Sequence, residues 1–251
     1  MSEKWRGLMK NKGFFITGTD TGVGKTVITA QICKIIKKAN ISLGIMKPVE
    51  TGVSNSLAPE IVSDANLLKS FLGISDSMED ISPYSFKTPV SPLLASRFEN
   101  KPIKPETIIF AYQKLSSKYS VVLAEGAGGL LVPITNNYLM ADLAKDLGLP
   151  LIIVTRFHLG TINQTALTIE AAQTRGLKIE GIIFNCLEKN QPTDLEKHTP
   201  QILEEVYKIP IIAICPFMGK NLKTKFFKKI WEMRDETKFS YFADWVRQES
   251  K

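Results

Sequence analysis

The segment Gly18-Thr19-Asp20-Thr21-Gly22-Val23-Gly24-Lys25-Thr26 constrains this chain more than any other. It follows a short apolar run, Gly13 to Thr17, and precedes a helical pattern, so it lies where a strand hands over to a helix. Glycines let the backbone curl until its N–H groups converge on phosphate oxygens at a helix N-terminus. A lysine adds a point charge, and a threonine hydroxyl can coordinate magnesium. The segment predicts a P-loop in which Gly22, Val23, Gly24, Lys25, Thr26 and Val27 surround a nucleotide phosphate. The strict pattern would place its first glycine at position 19, where Thr19 stands, with Gly18 one residue early. A glycine-rich turn without a ligand is the alternative, and the strand, the glycines and the GKT ending together argue against it.

The rest of the chain repeats the alternation of unbroken apolar runs with helical patterns. Strands are expected over 13–17, 43–49, 121–125, 151–155, 181–185 and 211–215, all apolar enough to be buried on both faces of a parallel sheet. Helices are expected over 26–38, 64–72, 106–118, 140–147, 163–175 and 194–207. This pattern predicts an α/β fold: a doubly wound, mostly parallel sheet in one domain over 1–251, with its core about 13–218 and ligands at the carboxyl ends of the strands. The stretch 52–105 is rich in Ser and Pro with weak periodicity; it is either an excursion carrying substrate contacts or an ordinary connection.

Composition excludes several classes. Apolar residues make up 44% and charged residues 23%, which argues against disorder and coiled coils. Cys33, Cys186 and Cys215 lack disulfide-framework or zinc spacing and suit a reducing cytoplasm. No run is long enough to span a bilayer, and the N-terminus has no apolar signal region. The net charge of +7 fits nucleic acid, a membrane surface or a polyphosphate ligand, and does not choose among them. The basic, aromatic tail from Lys220 to Arg234 is expected to be a helix packed through Phe227, Ile230 and Trp231 with its lysines solvated, so neither nucleic acid nor a membrane is expected as a partner.

Further segments supply chemistry in order. A lysine at the end of the second strand, Lys47 in Met46-Lys47-Pro48-Val49-Glu50-Thr51-Gly52, can neutralise charge in phosphoryl transfer, or merely solvate a strand end. Asp64 can hold magnesium, cap a helix, or do both. Glu125, which opens Glu125-Gly126-Ala127-Gly128-Gly129, stands where P-loop enzymes place a metal-holding acid. Thr26, Asp64 and Glu125 form an all-oxygen set suited to Mg²⁺. His158 and His198 are expected to be surface or structural.

The loop GTDTGVGKT, the KPVETG segment and the EGAGG block together resemble the dethiobiotin synthetase family over about 13–218. Partitioning ATPases carry KGGVGKT instead, and their signature lysine is Asp20 here. The resemblance implies that Lys47 and Lys25 are catalytic and that Thr21, Lys47 and Thr51 meet substrate. It also implies that Gly126, Ala127 and Gly128 approach the nucleotide and that Asn185 reads the adenine edge. Cys186 stands beside Asn185 where the family often has a polar residue, and Pro216, Phe217 and Met218 occupy the turn that borders the base. Gly160, Thr161 and Asn163 match a strand-to-helix turn that caps the substrate of a partner subunit, which implies a homodimer; an ordinary helix start capped by Thr161 is the alternative. The implied reaction joins 7,8-diaminononanoate and CO2 into dethiobiotin, with ATP giving ADP and phosphate, through a carbamate and a carbamic-phosphoric anhydride. A related P-loop amidase or ligase acting on another substrate, or a non-enzymatic ATP switch, are the rival expectations.

Overall fold

The computed structural model describes residues 13–53 and 63–219. The tail expected to form a helix, from Lys220 onward, lies outside them, as do residues 54–62 of the Ser- and Pro-rich stretch. The elements run β1 (Gly13–Gly18), α1 (Lys25–Lys38), β2 (Leu43–Met46), β3 (Val49–Glu50), α2 (Asp64–Leu72), α3 (Met78–Ile81), β4 (Tyr84–Ser85), α4 (Pro92–Phe98) and α5 (Pro105–Lys118). They continue with β5 (Val121–Gly129), β6 (Pro133–Thr135), β7 (Tyr138–Leu139), α6 (Met140–Asp146), β8 (Leu151–Arg156), α7 (Thr161–Thr174), β9 (Ile179–Asn185), α8 (Thr199–Tyr207) and β10 (Ile211–Cys215).

Six strands form one parallel sheet in the order β10-β9-β8-β1-β5-β2. The chain passes from β1 to β2 at one edge, returns to β5 between them, and then crosses to β8, β9 and β10 on the other side of β1. The order thus reverses beside β1, and its carboxyl edge is the crevice where doubly wound sheets bind ligands. Successive strand residues face opposite layers. Phe14 accordingly packs with Ile16, Ile28, Ile32 and Leu68 under α1 and α2, while Phe15 packs with Val122, Ala124, Tyr112 and Leu143 under α5 and α6. Both phenylalanines are fully buried, each contributing about 2–3 kcal/mol of hydrophobic stabilisation. A third cluster under α7 and α8 joins Ile153, Ile182, Phe184 and Leu203.

The second strand is shorter than its apolar run suggests, and the reason is local. The ladder to β5 ends at Met46, Lys47 turns its N–H to the Ile81 carbonyl at 2.7 Å, and Pro48 has no N–H to continue. Val49 and Glu50 then pair with Tyr84 and Ser85 in a separate ladder. The expected helix from 194 starts as a 3₁₀ turn, Glu196–His198, and becomes α-helical at Thr199. The stretch 52–105 folds back beside this edge through two short helices, α3 and α4.

Candidate active site

The P-loop arches over the carboxyl edge between β1 and α1. Gly22 and Gly24 adopt φ of 76° and 92°, left-handed values that glycine enters without steric cost. At Gly24 the surroundings forbid a side chain as well, because a Cβ would lie 2.1 Å from Asn185 Nδ2. That amide donates to the Val23 carbonyl at 3.0 Å and so ties the end of β9 to the loop. Lys25 Nζ donates to the Asp20 carbonyl at 3.1 Å. Burial lowers the Lys25 pKa to about 8, and the nearby Lys47 ammonium adds to the drop. A polyphosphate at this position would favour the charged form again.

Glu125, on β5, is fully buried where three segments meet. Its Oε1 accepts from Thr26 Oγ1 at 2.8 Å and from Lys47 Nζ at 2.5 Å. Lys47 Nζ also lies 3.6 Å from an Asp64 carboxylate oxygen. Burial pushes the Lys47 ammonium toward neutrality, but Glu125 and Asp64 outweigh it and hold the pKa above the usual lysine range. The helix cap that Asp64 was a candidate for is Ser63 instead, whose hydroxyl accepts from Asn66 N–H at 3.2 Å. The Asp64 carboxylate is thereby left to face the cleft.

Glu50 was not among the expected site residues, and the fold gives it a clear position. One of its oxygens accepts from Ser63 Oγ at 2.6 Å and the other from the Asp64 N–H. It clamps the start of α2 onto β3. Burial raises its pKa, with the Asp64 charge acting in the same direction. The sequence signal was only an acid after the KPV run, and its partners come from a segment thirteen residues away.

A cleft of about 310 Å³ is lined by Thr21, Gly22, Gly24, Lys25, Thr26, Val27, Lys47, Glu50, Thr51, Asp64, Glu125, Ala127 and Gly128, among others. Most of the residues expected at the phosphate and metal positions therefore converge. Val23 and Gly126 are buried beneath it, Gly126 against the Phe15 ring. A second cavity of about 410 Å³ shares Thr21 and Thr51 with the cleft and is closed by Pro89, Val90, Ser91 and Pro92. The Ser- and Pro-rich excursion thus reaches the site, through residues that weak periodicity left unmarked.

The remaining candidates lie apart from this cleft. Asn185 and Cys186 are buried at the end of β9. Met218 is packed in the core under α1 and accepts from Gln31 Nε2 at 3.6 Å, Phe217 packs on the opposite layer, and Pro216 is exposed. Gly160 and Asn163 stand exposed at the start of α7, whereas the Thr161 hydroxyl is turned inward to the Arg156 carbonyl at 2.7 Å. His158 Nδ1 sits 2.7 Å from the Leu159 carbonyl and His198 is exposed.

The residues present fit a divalent cation. Glu125 Oε2 is buried with no hydrogen-bond partner, while the Thr26 hydroxyl is bonded to the other oxygen of the same carboxylate and the Asp64 carboxylate shares the Lys47 ammonium with it. Among the described residues no group of three or more His, Cys, Asp or Glu is placed to hold a metal. An ion here would draw its remaining ligands from phosphate and water, which is the habit of Mg²⁺ rather than of Zn²⁺.

A family model described as an AAA domain matches residues 12–222. The ATP-dependent dethiobiotin synthetase BioD of Thermodesulfovibrio yellowstonii is 41% identical over 220 residues, covering 85% of this chain and 92% of that protein. The proteins of the same name from Bacillus subtilis strain 168 and Methanocaldococcus jannaschii are each 40% identical, covering 84% and 80% of this chain and 90% and 92% of theirs. In fold, the chain is similar to a ParA family ATPase from Chlorobium tepidum (TM-score 0.55, 15% identity, 95% of this chain and 99% of that one). It is equally similar to the septum site-determining protein MinD of Pyrococcus horikoshii, solved with Mg-ADP (TM-score 0.56, 17% identity, 96% and 97%). Those two likenesses show the shared P-loop architecture alone, whereas the sequence relatives match at about 40% identity over four fifths or more of the chain. The chain is a member of the ATP-dependent dethiobiotin synthetase family, a P-loop α/β ligase that uses ATP.

Proposed function

We propose that this chain converts 7,8-diaminononanoate, CO2 and ATP into dethiobiotin, ADP and phosphate in the cleft between the P-loop and the ends of β2 and β5. The observation that carries this reading is the buried Lys47 ammonium, held between Glu125 and Asp64 at the mouth of a cleft that also contains Lys25. One substrate amine takes up CO2 and loses a proton to become a carbamate. A carbamate oxygen attacks the γ-phosphorus and ADP leaves, giving a carbamic-phosphoric anhydride. The second amine attacks the anhydride carbon, the carbon–oxygen bond to phosphate breaks, and a five-membered urea ring closes with loss of a proton.

In this reading Lys47 bridges carbamate and γ-phosphate, Lys25 and the loop amides hold the phosphates, and Thr21 and Thr51 orient the amines. Phosphoryl transfer requires position and charge neutralisation more than covalent help. Mg²⁺ held by Thr26, Asp64 and Glu125 would supply further neutralisation of the phosphate oxygens. Asn185, with Cys186 and the Pro216–Met218 turn, would border the adenine. An oxygen of labelled carbonate is expected to appear in the released phosphate, since the bridging oxygen leaves with it; mass spectrometry of the phosphate reads this, and unlabelled phosphate would refute the anhydride step.

Glu50 would act on the metal through Asp64. Glu50→Gln is expected to raise the Mg²⁺ concentration needed for half-maximal nucleotide binding by about 10–100-fold, the usual cost of losing an outer-shell partner of a metal ligand. Titrating Mg²⁺ at fixed ADP measures it, and an unchanged midpoint would remove Glu50 from this role.

The partner in this reading is a second copy. A cavity of about 450 Å³ behind the P-loop is lined by Leu131, Val132, Gln164, Leu167 and neighbouring residues, and Leu131 and Leu167 are about half exposed. Leu159 and Ile162, around the start of α7, are exposed as well. Docking there would bring Gly160, Thr161 and Asn163 toward the partner's diamino acid. Three free, buried thiols support a reducing cytoplasm, and among the described residues no helix is long and apolar enough to cross a membrane.

A further inference from the structure

Four threonine hydroxyls meet behind the P-loop, and their protons can be assigned. Thr155, at the carboxyl end of β8, is fully buried, with Thr19 Oγ1 at 3.2 Å, Thr161 Oγ1 at 2.9 Å and Thr165 Oγ1 at 3.2 Å. A hydroxyl has one proton to donate and two lone pairs. Thr161 gives its proton to the Arg156 carbonyl at 2.7 Å, and Thr165 gives its proton to Thr155. Thr155 must therefore donate to Thr161, and Thr19 must donate to Thr155. The result is a one-way chain from Thr19 through Thr155 and Thr161 to the Arg156 carbonyl. Thr155 stands at its centre with its full complement of one bond given and two received.

The two ends of this chain matter. Thr19 opens the P-loop, and its N–H is bonded to the Val154 carbonyl at 3.0 Å, so loop and β8 are joined by backbone and side chain together. Thr161 is the first residue of α7, and its N–H is held by the His158 carbonyl at 3.1 Å. We infer that Thr155 is a positioning residue that sets the P-loop and the first turn of α7 against each other through its hydroxyl, and so tunes nucleotide binding in one protomer and diamino acid binding in its partner. The second half rests on the proposed dimeric reading, while the first does not.

Thr155→Val keeps the shape and removes the hydroxyl, leaving the buried Thr165 donor and Thr161 acceptor and the part-buried Thr19 donor without their shared partner. It is expected to weaken Mg·ADP binding about tenfold, read by calorimetry, and to raise KM for the diamino acid about tenfold, with a smaller effect on kcat. Thr155→Ser keeps the hydroxyl and is expected to leave both constants within about twofold of the parent. A Thr155→Val protein that melts at a lower temperature with both constants unchanged would overturn the inference, as would a Thr155→Ser protein behaving like Thr155→Val. Weakened Mg·ADP binding with an unchanged KM would overturn the link to α7. Should Thr155→Val fail to fold, Thr165→Val, which removes one of the protons that Thr155 accepts, reads the same constants and is expected to move both in the same direction. Absence of product with the parent protein would mark failure of the proposed reaction, and Mg·ADP binding would still decide the role of Thr155.

Discussion

Lys47→Ala is expected to lower kcat by about 10²–10³-fold, the usual cost of removing one preorganised charge from a transition state, while Mg·ADP still binds within a few-fold of the parent. The split follows from position. In the proposed reading Lys25, Thr26 and the loop amides would remain to hold the nucleotide, whereas the cation between the Glu125 and Asp64 carboxylates is gone. Steady-state turnover with saturating diamino acid, beside calorimetry with ADP, separates the two effects. Near-parental turnover would refute the bridging role, and loss of ADP binding would show that Lys47 serves the nucleotide rather than the chemistry.

Glu125→Gln is expected to have the larger effect on the protein as a whole. The change preserves shape but removes the negative charge that faces Lys47 and Thr26, and it points amide protons toward one of them or toward the metal position. Breaking a buried ion pair costs about 3–5 kcal/mol. Asp64, at 3.6 Å from Lys47, keeps the loss near the lower figure, and the melting temperature is expected to fall by roughly 6–12 °C. Turnover is expected to fall by about 10³-fold or more, because the acid that would hold Mg²⁺ and orient Lys47 is lost at once. Thermal denaturation and steady-state kinetics measure both, and an unchanged melting temperature with parental Mg²⁺ dependence would contradict the arrangement.

Much of this was legible in the residues. β1, β8 and the apolar stretches of β5 and β9 are buried on both faces, so they stand out as apolar runs that periodicity finds easily. The P-loop and Lys47 stand at strand ends and Glu125 at the middle of β5, which runs on to Gly129 past the expected end at 125. All three lie within recognisable blocks, and the fold brings them together with Thr26, Thr51 and Asp64. What was hidden depends on contacts between distant segments. Glu50 looks like any acid in a strand until Ser63 and Asp64 are placed on it. Ser91 and Pro92 enter the site from an excursion whose helices α3 and α4 are too short to carry a period, although Ser77 caps the first of them and Pro92 opens the second. The Thr155 cluster is invisible in sequence because threonine in a strand is ordinary; only the parallel register of β1 with β8 sets Thr19 beside it. The end of β2 departs from its apolar run for the opposite reason, since Val49 continues the run but Pro48 cannot continue the ladder.

The central claim is that the cleft beside β1 joins a diamino acid and CO2 with ATP. The most direct measurement supplies the purified protein with 7,8-diaminononanoate, carbon-labelled bicarbonate, Mg²⁺ and ATP, and follows phosphate release together with the ring product by mass spectrometry. Labelled dethiobiotin formed in step with phosphate, and lost when any one component is omitted, is the predicted result. Nucleotide binding or phosphate release that proceeds regardless of the diamino acid, with no ring product, would contradict it.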